Sequence, residues 1–352
     1  MASLREVAER AGVSTAAASR ALRDRPGVSR ETRSRVRQAA RELGYQPDLR
    51  ARSLRTSRTH NIGLVVPDVM NPFFSEVARA VGDVAGQREY SLLLGNSDGL
   101  RNKEEEFVNL LLQKKVDGLI VFAATSASQH LERARARGLP IVLIDRKVPG
   151  LDIIRADNEK GGTLATSHLL DLGHTRIGLI TGRLDLATRR DRYNGYRYAL
   201  IRAGITPDPT LVREGSVRSD HGYGAALDLL NLPAPPTAIF ATTDTIAMGV
   251  LLALEERSVP VPEEMAVVGY DNTYLTVICR PRLTSVAQPK QQMGRWAATF
   301  LIDWIEQGRA DGDEPVEVVL DPQLVVREST MPGVRALQGR DLPLSGVGRS
   351  GS

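Results

Sequence analysis

Ser3-Leu4-Arg5-Glu6-Val7-Ala8-Glu9-Arg10-Ala11-Gly12-Val13-Ser14-Thr15-Ala16-Ala17-Ala18-Ser19-Arg20-Ala21-Leu22 decides the fold at the start of this chain. Leu4, Val7, Ala8 and Ala11 fall at i, i+3, i+4 and i+7, the spacing of one apolar helix face. Ser3 and Glu6 have the spacing of a capping box, and Gly12 stops the helix. Ser14 then stands as the cap of a second helix, Thr15 to Leu22. Two short helices around a Gly-containing turn make a helix-turn-helix, whose second helix offers its N-terminal side chains to base edges in a major groove. A third helix is expected from Arg30 to Leu43, with Ser29 as cap, Gly44 as stop and Val36, Ala39, Ala40 and Leu43 as buried stripe. Arg33, Arg37 and Arg41 then face either solvent or phosphate.

Charge separates this head from the rest. Residues 1–60 hold 14 Arg, no Lys and 6 acidic residues, a net of +8. The whole 352-residue chain is only +4, which leaves −4 on the other 292 residues. A basic head on a mildly acidic body is the asymmetry expected when one end alone meets phosphates.

Within this head, Val7-Ala8, Ala11-Gly12-Val13-Ser14, Ser19-Arg20, Val28-Ser29, Thr32-Arg33, Leu43-Gly44-Tyr45, Pro47 and Arg52-Ser53-Leu54 lie in one register. In that register the segment resembles the start of the lactose/galactose repressor family of bacterial transcription regulators. The DNA-facing candidates are Ser14, Thr15, Ala16, Arg20, Arg23, Ser29 and Thr32. The resemblance adds a hinge that meets DNA through Arg52, Leu54 and Arg55, with Arg55 placed to follow Leu54 into the minor groove. Leu54 there acts as an apolar wedge between base steps. Pro47-Asp48 opens this hinge, and Leu49–Leu54 is too short to be a stable helix alone. Two departures stand out. Ala16-Ala17-Ala18 replaces larger polar residues, so base readout falls on Thr15 and Arg20, with help from Arg23 and Arg25. Leu49-Arg50 replaces smaller hinge residues.

From about His60 short apolar runs alternate with helical stretches: 62–66, 91–94, 118–122, 141–144, 177–180, 238–241 and 265–269. This pattern predicts a doubly wound α/β architecture with mainly parallel sheets. The resemblance, which covers about residues 3–330, implies two lobes like those of periplasmic sugar-binding proteins, with chain crossings near 158, 285 and 320. The organisation expected is a head over 1–46, a hinge and linker over 47–59, a two-lobed effector-binding and dimerisation domain over 60–330, and a disordered tail over 331–352.

Ligands of open parallel sheets bind beyond the carboxyl ends of the strands. Asp68, Asn71, Asp145-Arg146, Asp157-Asn158, Thr243-Asp244 and Asp271-Asn272 collect at such ends. Asp68 and Asp157 suit a turn or helix cap equally well. The resemblance places Arg192, within Thr188–Tyr196, together with Asp244 and Asp271 in the effector cleft. The effector-binding candidates are therefore Asn71, Phe73, Asp145, Arg146, Thr188, Arg192, Asp244 and Asp271. A guanidinium fork and carboxylates suit the vicinal hydroxyls of a sugar. Phe73 and Phe74 offer either an apolar face for the ring or core and interface packing.

Other motifs fail. Gly95-Asn96-Ser97-Asp98-Gly99 matches a hydrolase nucleophile elbow, but Asp98–Asn102 delays the helix and no His follows His221. Gly222-Tyr223-Gly224 lacks the third Gly of a dinucleotide fingerprint, and the five His have no metal-ligand spacing. Neither catalytic residues nor a metal or cofactor are expected. The single Cys279 and the lack of an apolar leader or an 18-residue apolar run suit a cytoplasmic protein. No leucine-heptad tail is present, so a homodimer on palindromic operator DNA is expected. The reading is a DNA-binding regulator, a repressor, controlled by a sugar or sugar derivative. A sugar-processing enzyme with a DNA-binding head and an effector-independent DNA binder are the alternatives.

Overall fold

The computed structural model describes residues 2–22, 26–45, 58–124, 128–309 and 314–331. Arg23 and Arg25 lie outside these, as do nearly all of the expected hinge, with Arg52, Leu54 and Arg55, and the expected tail beyond Met331. The chain divides into two compact units, residues 1–60 and 61–352.

In the first unit, α1 (Leu4–Ala11), α2 (Thr15–Leu22) and α3 (Arg30–Glu42) enclose a small core. The caps form as their residue types dictate. Ser3 Oγ accepts from the Glu6 backbone N–H, and the Glu6 carboxylate accepts from Ser3 N–H at 2.6 Å. Gly12 closes α1 in the left-handed conformation, φ +65°, where a side chain is strained. Ser14 Oγ accepts from Ala17 N–H, and Ser29 Oγ from Thr32 N–H. Val7, Ala8, Ala11, Ala18, Ala21, Val36, Ala39 and Ala40 are all buried. With mostly alanines in the contact, the three helices approach closely, and Arg10 of α1 pairs with Glu42 of α3.

The second unit holds two six-stranded sheets. One is ordered β11-β5-β4-β3-β1-β2, from β1 (Asn61–Val66), β2 (Ser91–Asn96), β3 (Gly118–Val121), β4 (Ile141–Ile144), β5 (Asp152–Ala156) and β11 (Glu317–Leu320), all parallel. The other is ordered β12-β10-β9-β8-β6-β7, from β6 (Ile177–Gly182), β7 (Val212–Gly215), β8 (Ala238–Ala241), β9 (Ala266–Asp271), β10 (Thr284–Ala287) and β12 (Gln323–Val325). Among the described strands β12 alone runs antiparallel to its neighbour. Central strands such as Ile141–Ile144 are buried throughout, as a sheet covered on both faces requires.

The covering helices of the first lobe are α4 (Pro72–Gln87), α5 (Arg101–Gln113), α6 (Gln129–Ala136) and α12 (Lys290–Gln307). Those of the second are α7 (Asn158–Asp171), α8 (Ala187–Arg202), α9 (Ser219–Leu230) and α10 (Asp244–Glu256), with the single turn α11 (Leu275–Ile278) beside them. The chain passes between lobes at Asp157, at Gln288-Pro289 and at Asp321-Pro322. Within the second lobe α7 and α8 touch backbone to backbone. A Cβ at Gly162 would lie 2.2 Å from Arg192 O, and one at Gly195 2.1 Å from Glu159 O.

Candidate functional site

The carboxyl ends of the two sheets border one cleft of about 680 Å³ of open space. Each strand end delivers its side chains by ordinary local rules. Asn71, following β1, caps α4 by accepting from Phe73 N–H and so points Phe73 inward. Phe73, Phe74 and Phe122 meet edge to face, with centroids 5.0–6.1 Å apart, and build an aromatic wall. After β4 the chain turns through Asp145 at φ +71°, which throws both Asp145 and Arg146 into the cleft. From the second lobe α8 brings Thr188 and Arg192, one turn apart, together with Arg189. Asp271 arrives at the end of β9 and Gln288 from the crossover.

The polar floor is rigid. Arg192 donates from Nε to Asn158 Oδ1 at 2.8 Å and from Nη1 to Thr242 O at 2.6 Å. Its guanidinium lies 3.7 Å over the centre of the Tyr270 ring and 3.7 Å from Asp271 Oδ1. Asp271 also accepts from Gln288 Nε2 at 2.7 Å, and Lys290 Nζ donates to the carbonyls of Asp271 and Asn272. Several groups keep bonding capacity toward the cleft. Asp145 Oδ1, Arg146 Nε and Nη1, and Gln288 Oε1 are shielded from solvent and have no partner among the described residues.

Of the ligand candidates expected from the sequence, the structure brings Asn71, Phe73, Asp145, Arg146, Thr188, Arg192 and Asp271 together around this space. Asp244 stands apart. It is 0 % exposed at the start of α10, and its carboxylate accepts from Thr273 N–H, Thr273 Oγ and Ser285 Oγ. An acid whose oxygens are saturated by internal donors ties β10 and the Asp271–Thr273 turn together and does not line the cleft. Asp157 caps α7, accepting from Lys160 N–H, and Asp68 accepts from Met70 N–H. Phe122, Arg189 and Gln288 are lining residues that the sequence did not single out.

In the head, Ser14, Thr15, Ala16 and Arg20 present one exposed face of α2, while Ala18 and Ala21 face the core. Ser29 and Thr32 are joined through their hydroxyls at 2.9 Å, at the start of α3.

Comparison with known proteins matches residues 3–48 to "Bacterial regulatory proteins, lacI family" and residues 166–330 to "Periplasmic binding protein-like domain". The HTH-type transcriptional repressor CytR of Escherichia coli K12 is 35% identical over 331 residues, which is 94% of this chain and 96% of that protein. The chain belongs to the lacI family of regulatory proteins. Two solved structures are similar along nearly the whole chain. The lac repressor dimer bound to operator and the anti-inducer ONPF has a TM-score of 0.80 at 27% identity, covering 94% of this chain and 99% of that one. The transcriptional regulator CelR–cellobiose complex has a TM-score of 0.71 at 33% identity, covering 94% and 100%. A helical head followed by two mainly parallel sheets is the lacI-family architecture expected from the sequence. Among the described residues no His, Cys, Asp and Glu group is arranged to hold a metal, and no helix is long and apolar enough to cross a membrane.

Buried charge gives this lacI-family cleft a pH dependence. Burial pushes the Asp271 carboxyl up to about 7, against the opposing charge of Arg192 and with the help of Asp244. Burial also pushes Asp244 up, against its three donors. The folded state therefore holds protons that the unfolded chain releases near its ordinary carboxyl range. That contribution is complete below about pH 4 and is lost as pH rises through about 7. Between about pH 5 and about pH 8 the thermal midpoint of the parent should fall more steeply than that of Asp271→Asn. Parallel midpoint curves for the two proteins would show that Asp271 is already ionised in the folded state.

Proposed function

We propose that the chain is a transcription repressor whose affinity for operator DNA is set by a small polar ligand, a sugar or sugar derivative, held between the two lobes. One observation carries this reading. Buried donors and acceptors on Asp145, Arg146 and Gln288, without partners among the described residues, stand opposite an aromatic wall in a cleft between sheet ends. Unsatisfied buried polar atoms cost about 1–3 kcal/mol each, a cost that a hydroxylated ligand relieves. The wall of Phe73, Phe74 and Phe122 suits the C–H face of a sugar ring. Ligand that binds one lobe arrangement more tightly changes the population of that arrangement, and DNA affinity changes by the same factor in return.

On this reading the partner is a palindromic operator met by a homodimer in the cytoplasm, and the protein catalyses nothing. Support comes from the basic head and from relatives named as repressors, one of them solved as a dimer on operator. Fluorescence anisotropy on labelled operator fragments, with and without a sugar panel, tests it. DNA affinity that no cleft ligand alters removes the effector control, and turnover of a sugar by the purified protein removes the non-enzymatic reading.

Arg20 supplies the base-specific contact in this scheme. It is exposed on α2, and among the described residues its one hydrogen bond is a long one, donated from Nε to Ala16 O at 3.3 Å. With Ala16 unable to hydrogen-bond a base, a bidentate arginine contact to guanine carries the discrimination. Arg20→Ala should weaken operator binding by about 1–3 kcal/mol and leave random-sequence binding nearly unchanged. Equal losses on both DNAs would reduce Arg20 to a phosphate contact.

A further inference from the structure

The cleft holds more positive charge than a neutral sugar uses. Three guanidinium groups line it, those of Arg146, Arg189 and Arg192. Arg192 is committed, to Asn158, Thr242, Tyr270 and Asp271. Among the described residues neither Arg146 nor Arg189 forms an ion pair, and the Arg189 side chain makes no hydrogen bond. Arg146 is only 8 % exposed, and its Nε and Nη1 have no partner. Arg189 lies across Gly182, where a Cβ would come within 2.5 Å of its Nε, so the bare backbone at the end of β6 makes room for the guanidinium.

Two unpaired guanidiniums beside a third repel one another, and burial adds a desolvation cost. Burial and the charges of Arg192 and Arg146 press Arg189 down to about 10, so it remains a cation at neutral pH. Burial likewise presses Arg146 down. The two carboxylates of the lining do not offset this. Asp271 is taken by Arg192 and Gln288, and burial pushes the Asp145 carboxyl above its ordinary range, against the guanidiniums around it. An arrangement of this kind is stabilised by a bound anion, which a planar guanidinium fork grips with two parallel hydrogen bonds.

We infer that the ligand is an anionic sugar, whose phosphate or carboxylate sits between Arg146 and Arg189 while its hydroxyls meet Asp145 and Gln288. This rests on the effector reading above and narrows it to one chemical class.

Titration calorimetry on the full chain tests the class, with glucose against glucuronate and phosphorylated glucose, and ribose against phosphorylated ribose. An anionic member should bind about 10- to 100-fold more tightly than its neutral parent, the worth of one or two charged hydrogen bonds. The glucuronate and phosphate arms separate a carboxylate from a phosphate. Arg189→Gln, which keeps a polar side chain and removes the charge, should bring the ratio of anionic to neutral affinity down to about one. Arg189→Lys should restore part of it. Neutral sugars that bind as tightly as their anionic counterparts overturn the inference but leave a sugar-responsive repressor. Anionic sugars that bind with the stated preference and leave operator affinity unchanged uphold the inference and overturn the effector role. Absence of heat with every member overturns both.

Discussion

Arg192→Ala is expected to destabilise the two-lobed unit by about 3–5 kcal/mol and to abolish the ligand response together. The side chain joins α7, β8 and β9 at once, through Asn158, Thr242 and the Tyr270 ring. Its removal leaves Asp271, 3 % exposed, without the guanidinium that faces its carboxylate. Most of the loss is then the cost of a stranded buried carboxylate rather than of missing contacts. Two consequences separate this from generic cavity damage. Since burial pushes Asp271 up to about 7, the loss should be larger at about pH 8 than at about pH 5. Asp271→Asn placed on top of Arg192→Ala should restore part of the stability, a coupling that a double-mutant cycle measures directly. Urea denaturation followed by circular dichroism at both pH values gives the numbers. A folded Arg192→Ala protein with full ligand response would remove Arg192 from the binding machinery.

Gly195→Ala should cost about 3 kcal/mol, although it adds a single methyl group to a helix. On most helices the exchange stabilises, because glycine is the poorer helix former. Here the added Cβ would stand 2.1 Å from Glu159 O and 2.6 Å from Thr163 N. Both are backbone atoms of α7, which cannot rotate away as a side chain would. The helices must separate, and α8 carries Thr188, Arg189 and Arg192 with it. Ligand affinity should therefore fall with stability, whereas Gly224→Ala, open on its side, should leave both unchanged or raise stability. Thermal unfolding of the two variants decides it, and a Gly195→Ala midpoint equal to the parent's rules out the backbone contact.

Much of this is legible in the sequence itself. Capping residues and i, i+3, i+4 spacing placed α1 to α3 because those signals are local. The runs at 62–66, 118–122 and 238–241 were readable as strands because a covered parallel strand is apolar on both faces. The strands that escaped notice are β5, β7, β10, β11 and β12. Val212-Arg213-Glu214-Gly215 and Glu317-Val318-Val319-Leu320 lie at sheet edges, half exposed, and carry charges that hide an apolar run. In the cleft, Asp145, Arg146 and Asp271 were readable from strand ends. Gln288 was not, since it reaches back 17 residues from a crossover to Asp271. Arg189 sat among three neighbouring arginines with nothing local to say which of them turns inward. Asp244 shared the strand-end signature of its neighbours, but Thr273 and Ser285 close over it from 29 and 41 residues away.

The threefold crossing of the chain between lobes also sets an order of birth. The first sheet's strands β1 to β5 leave the ribosome well before α12, which covers one of its faces with Met293, Ala297, Ala298, Leu301 and Ile302. Nearly all of the second lobe is encoded in between. At roughly 5–20 residues per second, the roughly 130 residues from Asn158 through Pro289 occupy about 7–26 s of synthesis. Throughout that interval Ile62, Leu64, Val142 and Ile144 lack part of their covering layer, while β6 to β10 and their helices emerge and pack. The later-made lobe thus has its covering helices α7 to α10 before the first lobe has α12. Until α12 is made, the nascent first lobe keeps an apolar sheet face uncovered, the condition in which a partly made chain is prone to aggregate.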